Sequence, residues 1–148
     1  SLTANGATTY IWQPGNLTGN TINVTPAITT TYQVTGTALG CESDPAFVTV
    51  TVNANPTASF TITDNVICLD ETASFTNTST IDSGSITALY WDFDNGTLDT
   101  TGYTTSPLSQ SYATHRTYNV KLSAMSDKGC LSDQFILPLS VNPLPVMT

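Results

Sequence analysis

Apolar and polar residues alternate along most of this chain. Tyr118, Val120, Leu122 and Ala124 interleave with Asn119, Lys121 and Ser123, and Phe135, Leu137, Leu139 and Val141 with Ile136, Pro138 and Ser140. Val48, Val50 and Val52 alternate with Thr49 and Thr51, and Phe60 and Ile62 with Thr61 and Thr63. Side chains on a strand point to opposite faces in turn, so each stretch predicts a half-buried strand. No stretch carries apolar residues at i, i+3, i+4 and i+7 over three turns, and Thr, Asn, Gly and Pro interrupt any such run. The pattern predicts an all-β protein. Pro138 cannot donate to a ladder, which predicts an edge strand there.

An internal repeat organises the strands. Cys41-Glu42-Ser43-Asp44 runs on to Val52-Asn53 and Pro56, and Cys130-Leu131-Ser132-Asp133 runs on to Val141-Asn142 and Pro145. Upstream, Thr31-Tyr32-Gln33-Val34 matches Thr117-Tyr118-Asn119-Val120, and Tyr10-Ile11-Trp12 matches Tyr90-Trp91 more loosely. Repetition at this length marks supersecondary units in series. We therefore expect two consecutive antiparallel Ig-like β-sandwich domains, 1–55 and 56–145, with 146–148 beginning a linker to a third. Pro fixes φ and restricts the residue before it, so each Val-Asn-x-x-Pro reads as a short, stiff junction. Ala73-Ser74-Phe75-Thr76-Asn77 resembles Ser1-Leu2-Thr3-Ala4-Asn5. On that alignment the counterparts of Phe60–Thr63 and of Cys68 fall before Ser1, and the first domain is expected to be truncated at its N-terminus.

Composition sharpens this. Among 148 residues there are 29 Thr and 14 Ser but only 3 Lys plus Arg, against 11 Asp plus Glu, for a formal charge of -8. Three cations cannot neutralise a run of phosphates or grip an anionic membrane, so no nucleic acid is expected as partner. No apolar run approaches the ~20 residues of a membrane span, so no membrane insertion is expected either. Hydroxyl-rich chains can be disordered stalks, but 39% of these residues are hydrophobic and alternate with Thr, which suits the wet face of a strand.

Three cysteines are present. Cys68 and Cys130 fall inside the second unit, and a disulfide between them is expected. Closing a ~60-residue loop is worth about 4 kcal/mol in a chain-entropy estimate and implies an oxidising compartment. Cys41, in the position of Cys130, would then pair with a Cys about six residues before Ser1. The alternative is free buried thiols. No Cys-x-x-Cys occurs and His115 is the sole histidine, so no transition-metal site is indicated.

The densest acidic stretch is Tyr90-Trp91-Asp92-Phe93-Asp94-Asn95-Gly96-Thr97-Leu98-Asp99. Alternation turns Trp91 and Phe93 inward and Asp92 and Asp94 outward. Asp92, Asp94, Asn95 and Asp99 are candidate Ca²⁺ ligands through their oxygens, and the alternative is that they cap turns. His115 beside Arg116 lacks an arranged nucleophile, and no Gly-x-Ser-x-Gly is present, so no enzyme and no catalytic residues are expected. Tyr103 and Tyr10 are candidate sugar-stacking platforms, with Trp12, Trp91, Tyr32 and Tyr118 taken as core. Tyr32 and Tyr118 each suit a tyrosine corner. Asn-x-Ser/Thr sequons occur at Asn16, Asn23, Asn77 and Asn95, near the frequency chance gives in so Thr-rich a chain.

Tyr90-Trp91-Asp92-Phe93-Asp94-Asn95-Gly96, followed by Tyr112-x5-Tyr118-Asn119-Val120-Lys121-Leu122, resembles the PKD (polycystic kidney disease) domain over residues 56–145. It departs where Asp94-Asn95 replaces Gly-Asp and where Arg116 replaces a Gly, which implies an altered turn. Residues 1–55 look like the Ig-like repeats of large surface proteins of Bacteroidota. Such arrays are similar to those of SprB-type gliding adhesins and other type IX-secreted proteins. The resemblance implies a non-catalytic structural or adhesive repeat at the cell surface or outside the cell, acting as a stiff spacer. Its partners would be neighbouring domains, surface polysaccharide or other cell-surface proteins. A carbohydrate-binding module of a secreted polysaccharide-degrading enzyme is the alternative. Asp99-Thr100-Thr101 matches the short O-glycosylation signal of that phylum, with Thr100 as acceptor.

Overall fold

The structure is a computed structural model that describes residues 1–146; the end of the expected linker, 147–148, lies outside the described residues. The chain divides into two compact units, the first Ser1–Asn53 and the second beginning at Ala54. Every regular element among the described residues is a strand, and no helix is long and apolar enough to cross a membrane.

Unit 1 holds β1 (Leu2–Thr3), β2 (Thr9–Gln13), β3 (Leu17–Thr18), β4 (Thr21–Ile22), β5 (Thr30–Ala38), β6 (Cys41–Glu42) and β7 (Ala46–Val50). Strands β3, β2 and β5 form an antiparallel sheet in that order, with β6 and β7 both pairing on β5, while β1 and β4 form a separate ribbon. The core is small: Tyr10, Trp12, Ile22 and Tyr32 are its buried residues. Strand β2 reads exposed–buried in strict alternation, with Tyr10 and Trp12 inward. Gly36 lies opposite Tyr10, and a Cβ there would come within 2.7 Å of the Ala7 Cβ and 3.3 Å of the Tyr10 ring. The glycine makes room for the Tyr10 ring to lie across β5.

Unit 2 holds β8 (Phe60–Ile62), β9 (Val66–Cys68), β10 (Thr72–Asn77), β11 (Ile86–Asp92), β12 (Leu98–Gly102), β13 (Leu108–Ser111), β14 (Thr117–Ser126) and β15 (Phe135–Asn142). It is a β-sandwich of a three-stranded sheet, β13-β10-β8, and a five-stranded sheet, β12-β11-β14-β15-β9. The inward residues of the two sheets meet in one aromatic core. Phe60 lies 5.0 Å from Trp91, Phe75 lies 5.2 Å from Phe93, and Trp91 and Phe93 stack at 5.6 Å. Tyr118, Val120, Leu122 and Ala124 are all buried, as their alternation predicts. Among the described residues all of its strand pairs are antiparallel except β15 with β9.

That parallel pair alters two expectations. Strand β15 is not at the sheet edge. Pro138 is tolerated because β9 covers only Ser140–Asn142, leaving the exposed proline N-terminal to the covered stretch. It also separates the cysteines. Cys68 lies level with Asn142 at one end of β15, whereas the Cys130 carbonyl accepts from the Ser126 N–H at the far end of β14. At about 3.3 Å per residue the two stand roughly 30 Å apart, and a disulfide needs Cα atoms within about 7 Å. The expected Cys68–Cys130 bond is therefore overturned, and no two of Cys41, Cys68 and Cys130 are joined to each other. The repeat consequently supplies no template for a partner to Cys41.

What the repeated Cys-x-Ser-Asp builds is a serine latch. Ser43 N–H donates to Gly36 O at 2.8 Å, its Oγ accepts from Gly36 N–H at 3.0 Å and donates to Asp44 O at 2.9 Å. Ser132 repeats this with Ala124 O at 2.9 Å, Ala124 N–H at 2.9 Å and Asp133 O at 2.8 Å. In this frame the cross-strand pair Val34–Ala46 corresponds to Leu122–Phe135, so Trp12 matches Trp91 and Val52 matches Val141. Tyr32 then occupies the place of Val120, two residues from the match its sequence suggests. A slip of two preserves the inward face. Accordingly Tyr118 forms the tyrosine corner, its hydroxyl donating to Thr114 O at 2.9 Å, and Tyr32 is a core residue. The expected burial of Val48 and Val52 fails: each is 37% exposed, because no strand covers that face of unit 1 among the described residues.

The hairpin between β5 and β6 turns at Leu39 and Gly40, with φ of 52° and 81°. Both central residues of a type I′ turn need positive φ, which a leucine adopts only with strain. Leu39 is fully exposed and packs on nothing. Leu39→Asn is expected to stabilise unit 1 by about 0.5–1 kcal/mol, read as a higher urea midpoint for its transition.

Candidate functional site

The acidic stretch sits where β11 leaves the sheet. Trp91 and Phe93 point into the core, and Asp92 and Asp94 point out. Cross-strand register places Asp92 opposite Lys121 on β14, and Asp92 Oδ2 accepts from Lys121 Nζ at 2.9 Å. Its Oδ1 accepts from the Asp94 N–H at 2.9 Å, closing an Asx turn that helps to put Asp94 at φ 57°. Asp94 Oδ2 in turn accepts from the Asn119 N–H and from Arg116 Nη1, both at 3.0 Å. Arg116 Nη2 donates to the Asp94 carbonyl as well, and the guanidinium lies 3.7 Å from the centroid of the Tyr118 ring. Asn95 closes the turn with its Oδ1 accepting from the Thr97 N–H at 2.9 Å.

Together these contacts form a clasp. Arginine at the position where the family pattern has glycine bonds the β11–β12 turn through Asp94 and covers the tyrosine corner. The electrostatics follow the contacts. The Lys121 ammonium, then the Asp94 N–H, hold the Asp92 carboxyl below its ordinary value. The Asn119 N–H, then Arg116, do so for Asp94. Burial pushes the Tyr112 hydroxyl far up, with its ring 4.3 Å from that of Tyr118.

The structure does not bring the four candidate Ca²⁺ ligands together on one side of the sheet. Asp92 and Asp94 are engaged in ion pairs with Lys121 and Arg116. Asp99 pairs across the sheet with Trp91 and so faces the opposite side from Asp92. Among the described residues no three His, Cys, Asp or Glu side chains form a group that could hold a metal ion. Of the stacking candidates, Tyr103 is 47% exposed, whereas Tyr10 is 8% exposed, with its hydroxyl accepting from the Ala7 N–H at 2.6 Å. Tyr10 is a core residue, as sharing the phase of Trp12 already signalled. Thr100 is exposed on the outer face of β12. Of the sequons, Asn77 is buried with its Nδ2 donating to Thr104 O at 3.1 Å, so it presents no acceptor; Asn16 and Asn23 are exposed, and Asn95 is half-buried. His115 is exposed beside the clasp.

The clasp makes unit 2 acid-sensitive in a defined window. A carboxyl whose folded pKa is depressed stabilises the fold above its unfolded pKa, and that contribution is lost as pH falls through the folded value. Asp92, Asp94 and Asp127 are all lowered, Asp127 chiefly by Lys128. The thermal midpoint of unit 2 is therefore expected to hold above about pH 4 and to fall below it. Asp94→Asn should lower the midpoint at neutral pH and flatten the acid limb, in a calorimetric pH series on both chains.

Fold and clasp together define an Ig-like β-sandwich module whose acidic motif is a structural fastening. The chain matches the PKD domain family over residues 53–137, more than half its length, and belongs to that family. Among solved structures, the PKD1 domain of Vibrio anguillarum Epp is 25% identical, with a TM-score of 0.52, the match covering 63% of this chain and 100% of that one. The PKD1 domain of the Vibrio cholerae metalloprotease PrtV is 27% identical at a TM-score of 0.50, covering 60% and 98%. A structure described as the basis for the promiscuous specificity of carbohydrate-binding modules from the β-sandwich superfamily is 29% identical at a TM-score of 0.57. That match covers 62% of this chain but only 36% of that one. No curated protein matches the chain.

Proposed function

We propose that the chain is a non-catalytic, extracellular spacer: consecutive β-modules of a long secreted or cell-surface protein that contribute length and mechanical resistance. The proposal extends to an adhesin of the kind that type IX secretion exports in Bacteroidota, gliding adhesins included, with neighbouring domains and surface polysaccharide as partners and Thr100 as an O-glycan acceptor. The observation that carries the spacer reading is the clasp. The chain's most concentrated chemistry, Asp92, Asp94, Arg116 and Lys121, is consumed in tying the β11–β12 turn to β14. Division into units that each have their own core agrees with modules in series.

Force spectroscopy on the whole chain tests it. Unit 2 is expected to unfold in one step at a resolvable load, and Arg116→Ala is expected to lower that load. A chain that extends without a resolvable unfolding event would overturn the reading. Two observations favour a second reading: Tyr103 is exposed, and the structure described for carbohydrate-binding modules of the β-sandwich superfamily is 29% identical over 62% of this chain. Saturable binding on a glycan array, lost in Tyr103→Ala, would replace the spacer role with sugar recognition.

A further inference from the structure

The serine latch occurs once in each unit, and the residues after it differ. In unit 2 it leads into Asp133-Gln134, in unit 1 into Asp44-Pro45. In both, the serine hydroxyl donates to the carbonyl of the aspartate that follows, Ser43 Oγ to Asp44 O at 2.9 Å and Ser132 Oγ to Asp133 O at 2.8 Å. Each hydroxyl is held in place, because its oxygen accepts from a strand N–H, that of Gly36 at 3.0 Å or of Ala124 at 2.9 Å. Asp44 and Pro45 are exposed, and so are Asp133 and Gln134, with β8 and β9 in place in unit 2. Solvent access at this point therefore does not depend on which strands cover a unit.

An aspartate followed by proline can cut its own chain. A carboxylate oxygen attacks the carbonyl carbon of the same residue and closes a cyclic anhydride. The C–N bond to proline breaks, and the proline nitrogen takes a proton from water and leaves as a secondary amine. A second water opens the anhydride to two carboxyl groups. The covalent structure itself keeps the attacking oxygen within reach of the carbon. Three features of unit 1 favour the step. The charge that develops on the Asp44 carbonyl oxygen is met by the Ser43 hydroxyl already donating to it. The proline nitrogen is more basic than an ordinary amide nitrogen and leaves more readily. Pro45 also has no N–H, which closes the rival reaction, attack of the following backbone nitrogen on the aspartate side chain to form an imide. At Asp133 the Gln134 N–H leaves that rival open.

We propose that the Asp44–Pro45 bond is a self-cleavage site, with the Asp44 carboxyl as nucleophile and the Ser43 hydroxyl as donor to the developing oxyanion. The cut falls between β6 and β7, both of which pair on β5. After it, the piece ending at Asp44 and the piece beginning at Pro45 are joined by the β5–β7 ladder, from Thr30 opposite Val50 to Val34 opposite Ala46. A covalent link in unit 1 thereby becomes one that parts when β7 is peeled away. This inference is independent of the spacer reading.

The test is to warm the whole chain in mildly acidic buffer and follow it over time by denaturing electrophoresis and intact mass. Two fragments are expected, one ending at Asp44 and one with Pro45 as its new N-terminus. Asp44→Asn removes the nucleophile and Pro45→Gln gives unit 1 the junction of unit 2; each is expected to slow the cut at least tenfold. Ser43→Ala is expected to slow it severalfold, and Ser43→Thr, which keeps the hydroxyl, to restore it. The parent chain unfolded in urea lacks the latch whether or not Ser43→Ala folds, and its cut should likewise be slower. Four outcomes would overturn the proposal: no fragments, a cut as fast in urea as in the folded chain, a cut as fast in folded Ser43→Ala as in the parent, or a cut at Asp133–Gln134 as fast as at Asp44–Pro45.

Discussion

Phe75→Ala is expected to lower the stability of unit 2 by about 3–5 kcal/mol, the range for removing a fully enclosed aromatic side chain. Phe75 has no exposed surface and touches both sheets' aromatics, 5.2 Å from Phe93, 6.2 Å from Trp91 and 6.3 Å from Phe60. Its strand, β10, is the centre of the three-stranded sheet, so the cavity cannot collapse by moving an edge. Small domains have on the order of 5–15 kcal/mol in hand, and each kcal/mol moves the midpoint of a domain this size by roughly 4–8 °C. A fall of about 15 °C or more in the calorimetric transition of unit 2 is therefore expected. The transition of unit 1 should not move, since Phe75 belongs to a separate core. Phe75→Leu, which keeps most of the volume, should recover more than half of the loss. A shift below a few degrees for the alanine variant would mean that the two sheets do not pack on this ring.

What the sequence makes legible is whatever depends on alternation within one strand. Tyr118, Val120, Leu122 and Ala124 read as core and are core, and Trp91 and Phe93 turn inward while Asp92 and Asp94 turn outward. The PKD resemblance, read from Trp91-Asp92-Phe93 and Tyr118-Asn119-Val120, is the family the comparisons show. What depends on how strands are laid side by side is not legible in this way. The sequence puts Cys68 and Cys130 each beside the correct strand, but which end of β15 each occupies depends on a parallel pairing that the alternating pattern does not announce. The clasp is hidden for the same reason. Asp92 meets Lys121, and Asp94 meets Arg116 and Asn119, only once the register of β11 on β14 is fixed. One signal was present: with only three cations in the chain, Arg116 and Lys121 both follow closely on Tyr112, across from the single dense run of carboxylates. Register also separates Asp99 from the other acids, because its partner across the sheet is Trp91 and that places it on the core side.

Trp12→Ala tests whether unit 1 stands on its own, and its expected effect is complete. Unit 1 has four buried core residues, Tyr10, Trp12, Ile22 and Tyr32, in just over fifty residues of chain. A unit of that size buries a smaller share of its surface than a full domain and is marginal. Trp12 is the largest of the four, 2% exposed, and its Nε1 donates to the Gly19 carbonyl at 2.9 Å, which holds β2 to the turn after β3. Removing it takes away about 3–5 kcal/mol of packing and orphans that carbonyl. The loss is comparable with all the stability such a unit has. Amide resonances of residues 1–53 are therefore expected to collapse toward random-coil positions at 25 °C while those of unit 2 stay in place. Trypsin would report nothing, since Arg116, Lys121 and Lys128 all lie in unit 2, whereas thermolysin should now cut at Ile11, Leu17 or Phe47. Trp12→Phe keeps most of the ring volume and should leave unit 1 folded but weakened. If Trp12→Ala melts unit 2 as well, the two cores are energetically one and the division at Asn53 fails. If unit 1 survives intact, its stability comes from the cross-strand ladder and paired threonines such as Thr31 and Thr49, whose hydroxyls lie 2.8 Å apart, rather than from burial.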